Sequence, residues 1–146
     1  MGIILKNKKA RWDYEIKETF DAGIQLLGLE TKSIKNKKVN INDSYAVVHQ
    51  GEIFLINMNI APYQPNNTIS NYNPNRPRKL LLTKSEIKHI IGMLTNKHLT
   101  LIPLEIYTKN RLIKIKLGLG IKRKKINKKE ILKQRTVEKE IKRGMF

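Results

Sequence analysis

Histidines and carboxylates that could hold a metal or act as a general base are few in this chain of 146 residues, and they are scattered. His49, His89 and His98 fall in segments that read as a strand, a helix and a loop, at no spacing that would bring two onto one metal ion. Cysteine is absent, which removes thiolate catalysis, disulfides and every Cys-based zinc site. Gly118-Leu119-Gly120 has two glycines but lacks the third glycine and the following helix of a phosphate-cradling loop. Glu18, Asp21 and Glu30 are the only acids placed to cluster, and a two-metal nuclease would want a further carboxylate aligned with them. No catalytic constellation assembles, so neither an enzyme nor a cofactor is expected.

What the chain has in quantity is positive charge. Thirty Lys and Arg against twelve Asp and Glu give a net charge of +18, which repels itself unless a polyanion or salt screens it. Nucleic acid is the expected partner. A membrane-surface helix would gather its lysines opposite a bulky apolar face, and no stretch does so over a useful length. Nor does any run approach the ~18 apolar residues of a membrane span, and residues 1–5 are too short for a signal-peptide core. A cytoplasmic protein without a membrane role is the reading. Lys, Ile and Asn all have A/T-rich codons, so the positions of the cations say more than their number. Two other residues stand out for binding. Asp21 interrupts a strand in a chain short of acids, where a carboxylate can accept from a base edge or ribose hydroxyl. Trp12, beside Arg11, either stacks on an unpaired base or packs as a lid over the core; most other aromatics lie on apolar strand phases.

These residues need a scaffold, and the period of the sequence supplies one. Residues 1–12 carry Lys6, Lys8, Lys9 and Arg11 with little periodicity, as expected of a basic arm ordered by a partner or by the core edge, or of a merely solubilising terminus. From Tyr14 to Leu26 apolar residues alternate with polar ones, which predicts a long half-buried strand, and its interior Gly23 predicts a bulge or bend. Residues 29–36 have helical spacing. Two further strands, Val39 to His49 and Ile53 to Ile60, flank Gln50-Gly51-Glu52, a hairpin turn. Pro62 to Pro77 holds four of the five prolines and reads as a loop. It ends in the basic Arg76-Pro77-Arg78-Lys79 before Leu80-Leu81-Leu82. Thr83-Lys84-Ser85-Glu86 forms a capping box ahead of a helix with Ile87, Ile90, Ile91 and Leu94 on one face. The last strands, Leu99 to Ile106 and Leu112 to Leu119, turn at Lys109-Asn110-Arg111. In the second, Leu112, Lys114 and Lys116 oppose Ile113, Ile115 and Leu117, which sets cations on one side and core on the other.

The fold expected is mostly β with short helices: a closed antiparallel barrel of oligonucleotide-binding type over residues 13–120, an open α+β sheet being the alternative. Residues 121–146 hold eleven Lys and Arg against Glu130, Glu138 and Glu140. A tail of that composition is disordered alone and helical on an anionic surface, or else simply solvated.

Asn7-Lys8-Lys9-Ala10-Arg11, Ala22-Gly23-Ile24 with Leu26-x-Gly28-x-Glu30-x-Lys32-Ser33, Asp43-Ser44-Tyr45-Ala46, Asn59-Ile60-Ala61-Pro62-Tyr63 and Arg76-Pro77-Arg78-Lys79-Leu80-Leu81-Leu82, in that order, closely resemble the small protein B family of bacteria, the SsrA-binding proteins. The resemblance implies a barrel that grips the tRNA-like domain of transfer-messenger RNA and enters a stalled 70S ribosome with it, standing in for the missing codon–anticodon arm. It further implies an RNA-binding edge of Asn7, Asp21, Leu81 and Thr83, with Lys8, Lys9, Arg11, Arg76, Arg78 and Lys79 on phosphates. The tail would lie as a helix in the empty mRNA channel, touching phosphates through Lys124, Lys128, Lys129 and Arg135. The chain departs from the family pattern at Asp21, where Glu is common; at Thr83, where Asn, His or Ser is common; at Lys122-Arg123-Lys124 for Gly-Lys-Lys; and at Ile126 for an aromatic or His. A monomeric ribosome-rescue factor is the leading expectation. A basic ribosomal-type protein bound to rRNA is the alternative.

Overall fold

The computed structural model describes residues 2–64, 71–96 and 98–124. Strand β1 (Gly2–Lys6) leads into a short helix, α1 (Lys8–Asp13), and then into the long β2 (Tyr14–Ile24). Helix α2 (Gly28–Lys35) follows, then β3 (Val39–Asn40), β4 (Tyr45–His49), β5 (Glu52–Ile56), β6 (Asn59–Ile60) and β7 (Arg78–Leu81). Helix α3 (Lys84–Asn96) separates these from β8 (Thr100–Lys109) and β9 (Leu112–Lys122). Mostly β with short helices is therefore what the chain forms.

Seven strands pair antiparallel in the order β1-β8-β4-β5-β7-β2-β9, and β9 also pairs with β8, so the pairings return on themselves through six strands. β4 meets β8 at Leu101, while β1 takes the same edge of β8 further along, from Glu105 to Thr108. Within this ring lie the inward phases that the alternation marked: Ala22 and Ile24 of β2, Ile53 and Leu55 of β5, and Ile113, Ile115, Leu117 and Leu119 of β9. Ile34 of α2 and Ile90 of α3 join them, each with no exposed surface. Each of the Ile and Leu side chains contributes roughly 1.5–3 kcal/mol by leaving water.

Local chemistry explains the turns. At Gln50-Gly51 both residues have positive φ, 51° and 75°, as a two-residue hairpin with the twist of its strands requires. Asn110 and Arg111 do the same between β8 and β9, at 52° and 66°. Close approach of strands fixes Gly120, where an added Cβ would come within 2.6 Å of the Glu15 carbonyl oxygen. Thr83 caps α3 as expected: its Oγ1 accepts from the Glu86 amide at 3.2 Å while Glu86 Oε1 accepts from the Thr83 amide at 3.0 Å.

The N-terminal residues are ordered against the core edge, one of the alternatives open from the sequence. Residues 2–6 are a strand on the edge of β8, and residues 8–13 are a helix capped by the Asn7 side chain, which accepts from the Ala10 amide at 3.1 Å. At the other end, β9 runs through Lys122, two residues into the stretch read as tail. Residues 125–146 of that tail and the loop residues 65–70 lie outside the described residues.

Candidate nucleic-acid interface

Strand parity decides which side chains reach the outer surface. On β2, Ala22 and Ile24 point inward, so Asp21 points outward and is exposed. In register, Asp21 faces Lys116 of β9, Lys116 faces Glu105 of β8, and Glu105 faces Lys6 of β1. A row of alternating charge thus crosses four strands. Beside it the Tyr107 hydroxyl donates to Asp21 Oδ1 at 2.8 Å. Ile3, Asp21, Glu105, Tyr107, Lys109 and Lys116 enclose a cleft of about 300 Å³. Burial, and after it the hydrogen bond to Asp21, pushes the Tyr107 phenol up to about 12.

Leu81 belongs to the same surface. It lies opposite Gly23 in the β2–β7 pairing, two residues along from Asp21, and remains 45% exposed. Lys79 shares the outward phase of β7 with Leu81 and pairs with Glu52 at 2.9 Å. Thr83, two residues past Leu81, is exposed at the N-terminus of α3. From the other side, Arg11 of α1 reaches Glu105 at 3.7 Å and so flanks the cleft. Lys8 is exposed. Lys9 turns away to pair with Asp43 at 2.7 Å, beside a second cleft that Tyr14, Tyr45 and Lys122 help to line. Trp12 is half-buried within α1 rather than carried on a loose arm. Lys124 is exposed just past β9, whereas Lys128, Lys129 and Arg135 lie outside the described residues.

Two residues expected at the RNA edge are buried in this structure. Asn7 is 1% exposed, and its amide nitrogen donates to the Pro103 carbonyl at 2.9 Å and to the Ile41 carbonyl at 3.1 Å. Its oxygen takes part in the α1 cap. Arg78 has no exposed surface. Its guanidinium bonds to Glu30, at 2.8 Å from Nε and closer still from Nη2, and to the Met58 carbonyl at 2.5 Å. Arg76, partly exposed, also binds Glu30, and the Tyr72 hydroxyl donates to that carboxylate at 3.1 Å. Burial pushes the Glu30 carboxyl up, but the Arg76 hydrogen bond, the Leu27 amide and Arg78 outweigh it and hold the group below its ordinary value. Glu30 is thus ion-paired to the two arginines, as the sequence reading of these acids preferred over a cluster with Glu18 and Asp21. Glu18 instead pairs with His89 of α3 at 2.8 Å. Among the described residues, no group of three His, Cys, Asp or Glu is placed to hold a metal ion.

Tyr107, Glu105 and Lys109 were not singled out by sequence reasoning. The signal was the shared odd phase of Glu105, Tyr107 and Lys109 on β8, which only register with β9 brings beside Asp21.

With this geometry in place, the comparisons with known proteins are informative. The family model described as SmpB protein matches residues 4–146. An SsrA-binding protein of Halothermothrix orenii is 48% identical over 142 residues, covering 97% of this chain and 91% of that protein. One from Clostridium acetobutylicum is 45% identical over 144 residues, covering 99% and 92%. A solved structure of tmRNA-SmpB, "a journey to the center of the bacterial ribosome", aligns with a TM-score of 0.68 at 45% identity, over 83% of this chain and 85% of that one.

Proposed function

The chain belongs to the SmpB protein family, and on that premise we propose that it binds the tRNA-like domain of transfer-messenger RNA and delivers it to stalled 70S ribosomes for rescue and tagging of the nascent peptide. The observation that carries this reading is the outer face around Asp21. It offers the carboxylates of Asp21 and Glu105 framed by Lys6, Lys109, Lys116 and Arg11, a mixture suited to reading a folded RNA by its backbone and its hydroxyl or amino donors.

In this reading the returning ring of strands is a closed barrel of oligonucleotide-binding type, rigid enough to hold that face in shape. Asp21 accepts from the RNA, Leu81 packs on a sugar or base, and Thr83 supplies a hydroxyl at the same edge. Lys8, Lys9, Arg11, Lys79 and the exposed part of Arg76 neutralise phosphates. Trp12 stiffens α1 beneath them. Asn7 and Arg78 build the platform without touching RNA. The segment from Lys124 onward, with Lys128, Lys129 and Arg135, occupies the empty mRNA channel as a helix. The protein acts in the cytoplasm by binding rather than by catalysis, as a monomer.

Gel-shift titration against transfer-messenger RNA and an unrelated RNA of equal length, with tRNA as competitor, tests this. Nanomolar binding confined to transfer-messenger RNA is expected. Equal affinity for both RNAs would overturn the reading, and co-sedimentation with every translating ribosome would point instead to a resident rRNA-binding protein.

A further inference from the structure

Tyr107 has a hydroxyl committed to Asp21 and a ring buried on the outer face of the sheet, where it lines the same cleft as Ile3 and Lys109. Its side chain is only 6% exposed, yet the hydroxyl reaches Asp21 Oδ1 at 2.8 Å. Among the described residues, Asp21 takes no other hydrogen bond and closes no ion pair, although Lys116 stands opposite it in register. One carboxylate oxygen is therefore held and the other is open at the cleft.

We propose that Tyr107 is a positioning residue: anchored by its buried ring, it fixes one oxygen of Asp21 so that the other is preset to accept from a hydroxyl or amino donor of the bound RNA. The proposal rests on the RNA-binding reading above. An exposed aspartate samples several rotamers, and holding one of them in advance removes that ordering cost from binding. A carboxylate repels phosphate, so the group it recognises must be a donor, while Lys109 and Lys116 on the same cleft are free to take the neighbouring phosphates. The phenol, raised to about 12, remains a donor at every pH at which RNA binding is measured. Its role is geometric.

The test is a double-mutant cycle read by fluorescence anisotropy on labelled transfer-messenger RNA, with Tyr107→Phe, Asp21→Ala and the double variant. Tyr107→Phe keeps the packed ring, so its melting temperature should stay close to that of the unmutated chain while affinity falls about fivefold to tenfold. Asp21→Ala should lose at least as much, and adding Tyr107→Phe to it should cost nothing further. Equal losses from Tyr107→Phe in both backgrounds would overturn the proposal, because the tyrosine would then act on its own. So would a lowered melting temperature with unchanged affinity, the mark of a purely structural ring. If Asp21→Ala itself left affinity intact, the placement of the RNA edge would fall, and the positioning role with it; loss from Asp21→Ala alone would sink only the latter.

Discussion

Glu30 gathers Arg76, Arg78, the Tyr72 hydroxyl and, at 2.8 Å, the Leu27 amide at the start of α2 on one carboxylate with no exposed surface. Removing one partner of such a cluster strands the other charges, so Glu30→Ala should cost about 3–5 kcal/mol in denaturant melts. The pH dependence has a definite sign. Because the folded carboxyl lies below its ordinary 4.5, the unfolded chain binds more protons in that window. The stabilisation is complete above that ordinary value and is lost as pH falls through the lower folded one. Thermal melts from about pH 7 to about pH 3 should show this acid loss, and Glu30→Gln should flatten it. Sequence made the outward cations legible but not this cluster. Arg78 reads as a basic clamp because nothing local announces a buried carboxylate 48 positions earlier, and Asn7 reads as a contact because its acceptors, Ile41 and Pro103, are equally remote.

Elements that carry their own instructions were the ones read correctly. The Thr83–Glu86 capping box, the Gln50-Gly51 turn and the alternation of β9 each depend on neighbours within a few residues, and each appears as expected. β1 was read as an arm because five residues have too little period to announce a strand, and only the edge of β8 makes them one. Two substitutions test how these elements are held. Gly120→Ala would drive a methyl against the Glu15 carbonyl where β2 shifts register, and should destabilise by about 1–3 kcal/mol in urea melts. Arg111→Gly relieves a left-handed residue at φ 66° and should stabilise by up to about 1 kcal/mol, measured the same way. The opposite sign in the second case would mean that the Arg111 side chain has a packing role.

Over the whole molecule, a charge of +18 guarantees attraction to any RNA, so affinity alone says little about recognition. Salt dependence separates the two contributions. Lys8→Ala should lower the slope of log K against log salt by about one unit if it meets a phosphate, and should weaken binding to all RNAs alike. Truncation should be made after Lys124 rather than at Ile121, since β9 needs Ile121 and Lys122 to pair with β2. Such a chain should keep its RNA affinity and lose peptide tagging in a reconstituted translation assay; loss of most of the affinity would show the roles divided wrongly. The most direct test of the central claim is the affinity of Asp21→Arg for transfer-messenger RNA. A surface working as a mere polycation would bind as tightly or more tightly after gaining positive charge. A surface that reads its RNA through the Asp21 acceptor should lose more than about tenfold in affinity for transfer-messenger RNA while its weak binding to unrelated RNA holds or rises, and an undiminished affinity would contradict the account.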